Sequence, residues 1–178
     1  WRVYVQLIKS SKLYSFALRH GCNVLFNALE MQKKCEEMFP GNEDKLFTAY
    51  NIIDCEKARE DAKEELDEEY KEFYDTHRVI AFSSRFVDQK CQGDMLKSFE
   101  LLKKCIPDAG LICLGCRGEY ENAVREMAKK SEYSNDIVFA GFQKNVFKFV
   151  SRADVFAMTS YYEGFPNVIV EALAVGTP

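Results

Sequence analysis

Y-Y-E-G-F-P-N-V-I-V-E-A-L-A-V-G-T-P, residues 161–178, is the stretch whose reading decides the rest of the chain. It reads as a loop feeding a helix with marked ends. Gly164 permits a backbone conformation closed to other residues, Pro166 suits a first helical position, and Gly176 with Pro178 supplies a stop. The spacing predicts a helix over 166–175, with Val168, Ile169, Ala172 and Leu173 as its apolar stripe. Asn167 and Glu171 fall one turn apart on another face. The first N–H groups of such a helix, on Asn167, Val168 and Ile169, have no partner within it and sit at the positive end of its dipole, which suits phosphate oxygens. Carboxylates suit sugar hydroxyls better than phosphate, and Glu163 and Glu171 stand before and after those amides. Nucleotide sugars carry both kinds of group.

This run resembles the signature of retaining glycosyltransferases of the GT-B architecture, group 1 or family 4, in which two glutamates flank seven residues, as Glu163 and Glu171 do. The fold that resemblance implies is α/β, with Rossmann-like parallel sheets covered by helices on both faces, of which this chain carries a part.

Working back towards the start, the pattern agrees. Apolar runs of strand length at 79–83, 111–114, 137–140 and 155–158 alternate with helical patterns at 94–104, 119–130 and 146–151. Such alternation predicts a parallel sheet whose ligands bind beyond the carboxyl ends of its strands. Four strand-to-helix loops therefore matter. S-S-R-F-V-D-Q-K-C-Q-G, 83–93, places Arg85 and Lys90 where a guanidinium fork and an ammonium can neutralise a diphosphate. It resembles the family's G-R-x-x-x-x-K-G or K-N-Q segment, with Ser84 where Gly is usual and Cys91 where Gly or Asn is usual. Gly115-Cys116-Arg117-Gly118-Glu119 looks like the family's G-x-G-x-E turn, one residue off in spacing or with Arg117 in place of a Gly. Gly141-Phe142-Gln143 resembles the loop near the nucleotide base. The fourth loop leads into Glu163, Gly164, Phe165, Asn167 and Val168.

The N-terminal third is less specific. Residues 1–19 read as an amphipathic helix with Val5, Ile8, Leu13, Phe16 and Ala17 inward, a membrane-surface helix being the alternative; His20-Gly21 ends it. A buried strand at 22–26, a helix at 28–39 with Leu29, Met31, Cys35 and Met38 inward, a Pro40-Gly41-Asn42 turn and a strand at 45–50 follow. Asn51-Ile52-Ile53-Asp54 resembles the family's Asn-Gly-Ile-Asp element, with Ile52 in place of Gly. The charge-dense 55–74 reads as one solvated helix, a linker or else a partner-binding surface. The domain expectation is 1–54 as the tail of an N-terminal Rossmann-like domain, 55–77 as a linker helix, and 78–178 as a truncated C-terminal nucleotide-sugar-binding domain. With no initiator methionine before Trp1 and an end just after a helix, the chain reads as a fragment.

Composition narrows the classes. In 178 residues, 47% hydrophobic content supports a real core, and a net charge of -4 gives no global field favouring nucleic acid. No apolar run is long enough to cross a bilayer, and the first ten residues lack the layout of a secretory signal. Seven scattered cysteines argue for a reducing compartment. Cys113-x2-Cys116 has metal-ligand spacing but no partner pair, and no metal site is assigned.

What the resemblance implies is transfer of a sugar from a UDP- or GDP-sugar to an acceptor hydroxyl with retention, in cell-surface polysaccharide or glycolipid synthesis. Arg85, Lys90 and Glu163 are the implied catalytic residues, with Phe142, Gly164, Phe165, Asn167, Val168 and Glu171 binding the donor. Neither cofactor nor metal is expected. The partners are the donor and a saccharide, lipid-linked or other hydroxyl acceptor; the place is the cytoplasm, with contact at the inner membrane face left to the part of the protein beyond this chain. A GT-B sugar-nucleotide epimerase and a non-catalytic nucleotide-sugar-binding fragment are the other readings.

Overall fold

The computed structural model describes residues 2–115 and 118–178, with side chains from Ser11 onward. Cys116 and Arg117, and the inward positions expected at Val5 and Ile8, lie outside the described set. The chain divides into two compact units. One comprises Trp1–Ile52 with Tyr162–Asn167, the other Ile53–Tyr161 with Val168–Pro178.

The first unit is a βαβ piece behind a long helix. Helix α1 (Arg2–Arg19) leads to β1 (Val24–Phe26), α2 (Leu29–Met38) and β2 (Leu46–Thr48), the strands pairing in parallel with Val24 opposite Leu46. Leu18, Phe26, Cys35 and Leu46 are buried together, with Tyr14, Val24, Met31 and Phe39 packed around them. The inward face of α1 is therefore not the one expected: Leu13 and Phe16 are exposed, and Phe16 packs on His20 at 4.1 Å between ring centroids. Periodicity located the helix, but Tyr14 and Leu18 meet the strands. Leu25 and Leu29 are likewise exposed, against the expectation of burial.

The second unit opens with α3 (Cys55–Asp61) and α4 (Glu68–Thr76), so the solvated helix expected over 55–74 is two helices. Asp54 caps the first, its carboxylate accepting from Lys57 N at 2.9 Å. Between them Leu66 is buried in the core. The connecting residues are held from outside the segment: Asn145 Nδ2 donates to Asp61 O at 2.7 Å, Arg152 Nη1 to Ala62 O at 3.0 Å, and Lys148 Nζ to Glu64 Oε1 at 2.9 Å. These contacts and the burial of Leu66 offset the helical hydrogen bonds given up at the break.

Strands β3 (Arg78–Ser83), β4 (Ala109–Leu114), β5 (Ile137–Gly141) and β6 (Val155–Phe156) form a parallel sheet in the order β5-β4-β3-β6. Helices α5 (Gln92–Lys103), α6 (Glu121–Lys130), α7 (Phe147–Val150) and α8 (Asn167–Ala174) connect or follow them. Strand side chains alternate between faces, and the two cores show it. Ile80, Phe82, Leu111 and Cys113 pack with Phe99 of α5 and Val124 of α6. Val79, Ala81, Ile112 and Leu114 pack with Phe73 of α4, Phe149 of α7 and Ala172 of α8. Both faces are covered, as the near-continuous apolar strands required. Each fully buried Leu, Ile or Phe contributes about 1.5–3 kcal/mol. Among the described residues, no helix is long and apolar enough to cross a membrane.

Candidate functional site

The strand order itself points to one place. From β3 the chain steps outward to β4 and β5, then returns to the other side of β3 to form β6. The switch point thus falls between β3 and β6, and ligands of open α/β sheets bind in the crevice beyond the strand ends there. Its two walls are the loop after β3, with Arg85 and Lys90, and the loop after β6.

The loop after β3 is held from below. Gln92, buried at the start of α5, donates through Nε2 to Arg85 O at 2.6 Å and Ser84 Oγ at 3.1 Å, while the Arg85 residue is exposed. Backbone fixed by a buried amide and a guanidinium left accessible suit anion binding. The loop then tightens into a 3-10 turn, Asp88–Lys90, and Cys91 follows at φ 51, ψ 45. That is the left-handed region, which Gly and Asn enter readily and which costs other residues about 1–2 kcal/mol. Cys91 keeps the conformation without being either. Its thiol contacts Asp88 O at 3.6 Å and Gln89 O at 3.5 Å, and its amide donates to Asp88 O at 3.2 Å.

The neighbouring loops are stitched to this one. Tyr161 N donates to Gln89 O at 2.9 Å, and Thr159 Oγ1 shares its hydrogen between Lys90 O at 3.0 Å and Cys91 O at 3.1 Å. On the other side, Tyr120 N donates to Phe86 O at 3.2 Å. A Cβ on Gly118 would lie 1.8 Å from that same Phe86 oxygen, and one on Gly115, at φ +110, 2.2 Å from Ser84 O. Both glycines of the turn after β4 are therefore required by close backbone approach, whatever the spacing of the motif. A cavity of about 190 Å³ lies beside this seam, lined by Asp88, Gln92, Tyr120, Met127 and Tyr161 among others. Ser160 Oγ is buried without a hydrogen-bond partner, an arrangement that costs about 1–3 kcal/mol.

After β5, Gly141 takes φ +69 and Phe142 is 75% exposed, while Gln143 Nε2 donates back to Ala140 O at 2.7 Å. Phe142 is separated from the switch point by β4. Helix α8 begins at Asn167 and ends where expected. Gly176, at φ +88, donates to Leu173 O at 3.1 Å and Thr177 N to Ala172 O at 3.0 Å, a Schellman stop. Val168 packs on the core, and Glu171 is half-buried, its carboxyl pushed above the usual range by burial. On the opposite face of β4, burial pushes the Cys113 thiol up to about 12, so it is an inert core group.

The remaining predicted residues belong to the first unit, through its segment Tyr162–Asn167. There Asn51 Nδ2 donates to Asn167 Oδ1 at 2.8 Å, and the rings of Tyr50 and Phe165 lie 5.6 Å apart. Gly164 is not in the left-handed region; its smallness serves Asn27, whose Oδ1 would lie 3.0 Å from an added Cβ. Glu163 is half-buried. Ile52 is 96% exposed with a negative φ, so its replacement of Gly introduces no strained backbone. Sequence reasoning singled out neither Tyr50 nor Asn27, and missed Thr159 and Gln92. The only available signal was position, each lying at a strand end or the start of a helix.

Comparison with known proteins bears on the family and the fold. The model of the family described as glycosyl transferases group 1 matches residues 63–178. An uncharacterised glycosyltransferase of Methanocaldococcus jannaschii is 28% identical over 93% of this chain and 40% of its own length. A GDP-mannose-dependent monoacylated alpha-(1-6)-phosphatidylinositol monomannoside mannosyltransferase of Corynebacterium glutamicum is 33% identical over 60% of this chain and 29% of its own. The chain thus spans less than half of the length of these relatives. A crystal structure of Anabaena HepE in complex with UDP and glucose superposes with a TM-score of 0.77 at 21% identity, over 92% of this chain and 45% of that one. TarM superposes at 0.76 and 17% identity, over 96% and 31%. At those identities the likeness is one of fold, and the fold is GT-B. With the family model covering most of the sequence, the chain belongs to the glycosyl transferases group 1.

Proposed function

We propose that the protein transfers a sugar from a UDP- or GDP-sugar to an acceptor hydroxyl with retention at the anomeric carbon. The observation that carries this reading is the switch point between β3 and β6, where the loop holding Arg85 and Lys90 is bonded to the loop that leads towards Glu163 and α8. As the nucleoside diphosphate leaves, negative charge grows on its distal phosphate. Arg85, Lys90 and the first amides of α8, at Asn167 and Val168, stabilise it; fixed donors of this kind need no reorganisation as the charge forms. Glu163 accepts hydrogen bonds from the donor sugar, with Gly164 and Phe165 beside it contributing backbone. Glu171 holds the ribose, and the loop at Phe142 meets the base. The cationic side chains take the part that a divalent metal plays in other phosphoryl sites, so no metal or cofactor is assigned.

Relatives support the substrate class without fixing the base, since one is GDP-mannose-dependent and the Anabaena protein HepE binds UDP and glucose. Others are proteins of lipopolysaccharide core and capsular polysaccharide biosynthesis, which favours a saccharide or lipid-linked acceptor in surface polysaccharide or glycolipid synthesis, at the cytoplasmic face of the membrane. Titration of UDP and GDP into the full-length protein by calorimetry, then turnover of the matching sugar nucleotides with NMR of the product anomer, tests the reading. Binding of neither nucleotide, or a product of inverted configuration, overturns it.

A further inference from the structure

We propose that Thr159 is a positioning residue for Lys90, holding the backbone of the 88–91 turn so that the Lys90 ammonium meets the donor diphosphate. The proposal rests on the nucleotide-sugar reading above and adds a residue that the reading does not use. Three successive carbonyls of the turn, on Gln89, Lys90 and Cys91, accept hydrogen bonds from residues 159–161. They are not equivalent. The bond to Gln89 O comes from the Tyr161 amide at 2.9 Å and survives any side chain there. Cys91 O also accepts from Asp94 N at 3.0 Å and Met95 N at 3.1 Å, within the start of α5. The carbonyl of Lys90 itself is reached by the Thr159 hydroxyl, at 3.0 Å.

The turn needs such a hold. Cys91 is the one described non-glycine residue with positive φ, and a backbone of that kind persists only where its surroundings over-determine it. Without the hydroxyl, Cys91 can relax towards the common helical region. That rotation moves the peptide joining it to Lys90, and the ammonium with it. Thr159 is half-buried at this seam. Serine can supply the same hydrogen bond; valine has the same shape and cannot.

The test uses Thr159→Ser, Thr159→Val and Lys90→Ala in the full-length protein, alone and combined. UDP and GDP are the calorimetric probes, and hydrogen exchange of the 88–91 amides is the second readout. Thr159→Val is expected to weaken nucleoside diphosphate binding about tenfold, the size of one net hydrogen bond, and to speed exchange at 88–91. Thr159→Ser restores both. In the Lys90→Ala background Thr159→Val has no further effect on affinity, because the lost contact is the one it acts through. Equal losses for serine and valine, or a valine effect that persists without Lys90, overturn the proposal. Should Thr159→Val not fold, Thr159→Ala takes its place with the same expectations. If wild type binds neither nucleotide, the function proposed above is wrong, and the positioning of a diphosphate with it; exchange at 88–91 then decides whether the backbone clamp exists.

Discussion

Asn51 Nδ2 donates a hydrogen bond to Asn167 Oδ1 at 2.8 Å, joining residues 116 positions apart. The first follows β2, and the second opens α8. The bond ties the E-G-F-P-N segment to an N-I-I-D element that sequence reading could identify only by resemblance. Asn51→Ala and Asn167→Ala are therefore not independent. A double-mutant cycle on unfolding free energy is expected to show a coupling of about 0.5–1.5 kcal/mol. Additive losses would remove the bond from the account.

Arg85→Ala and Lys90→Ala are expected to lower the transfer rate far more than stability. Arg85 is exposed and Lys90 half-buried, so neither supports the core. Loss of one oxyanion-type contact costs about 3–4 kcal/mol, a hundredfold or more in rate. Denaturation midpoints close to wild type beside that rate loss are the expected pair of results; a parallel fall in both would make these residues structural.

Glu171 couples stability to function with opposite signs. Burial raises its pKa above the unfolded value, so as pH climbs from the ordinary carboxylate range through the folded pKa, the unfolded chain releases its proton first and stability falls. Glu171→Gln removes that loss and is expected to be at least as stable as wild type at pH 7, with a flatter pH profile in urea denaturation. The same change is expected to weaken UDP or GDP binding about tenfold, roughly 1.4 kcal/mol, and to erase discrimination against the 2'-deoxy nucleotide. Equal discrimination by both proteins would separate Glu171 from the ribose.

The loop glycines are not interchangeable. Gly118→Ala forces a methyl group to within 1.8 Å of Phe86 O and must move backbone, whereas Gly141→Ala, at φ +69, meets no atom within 4 Å. The first is expected to cost about 3 kcal/mol by overpacking, the second about 1 kcal/mol for its left-handed conformation. Chemical denaturation of both variants checks the order; a reversed order would mean that the seam between the loops after β3 and β4 is loose.

The sequence alone determined every strand of the second unit to within a few residues, along with the extent of α8 to within one residue at each end, its stop at Gly176, and the GT-B resemblance. These depend on periods of two and 3.6 residues, on left-handed glycines and on short spacings, all of which are local consequences of backbone geometry. Tertiary structure decided which apolar residues are covered. Leu13 and Leu18 are the same residue type about 140° apart round α1, and the first is 67% exposed and the second 3%, because β1, α2 and β2 lie against only one of the two faces. It also broke the 55–74 helix at Leu66, set Cys91 in a left-handed turn under the Thr159 hydroxyl, and brought Gly118 onto Phe86. In each case the deciding partner is remote in sequence or lies on another loop, and a one-dimensional pattern carries no record of which remote group fills the space beside a residue.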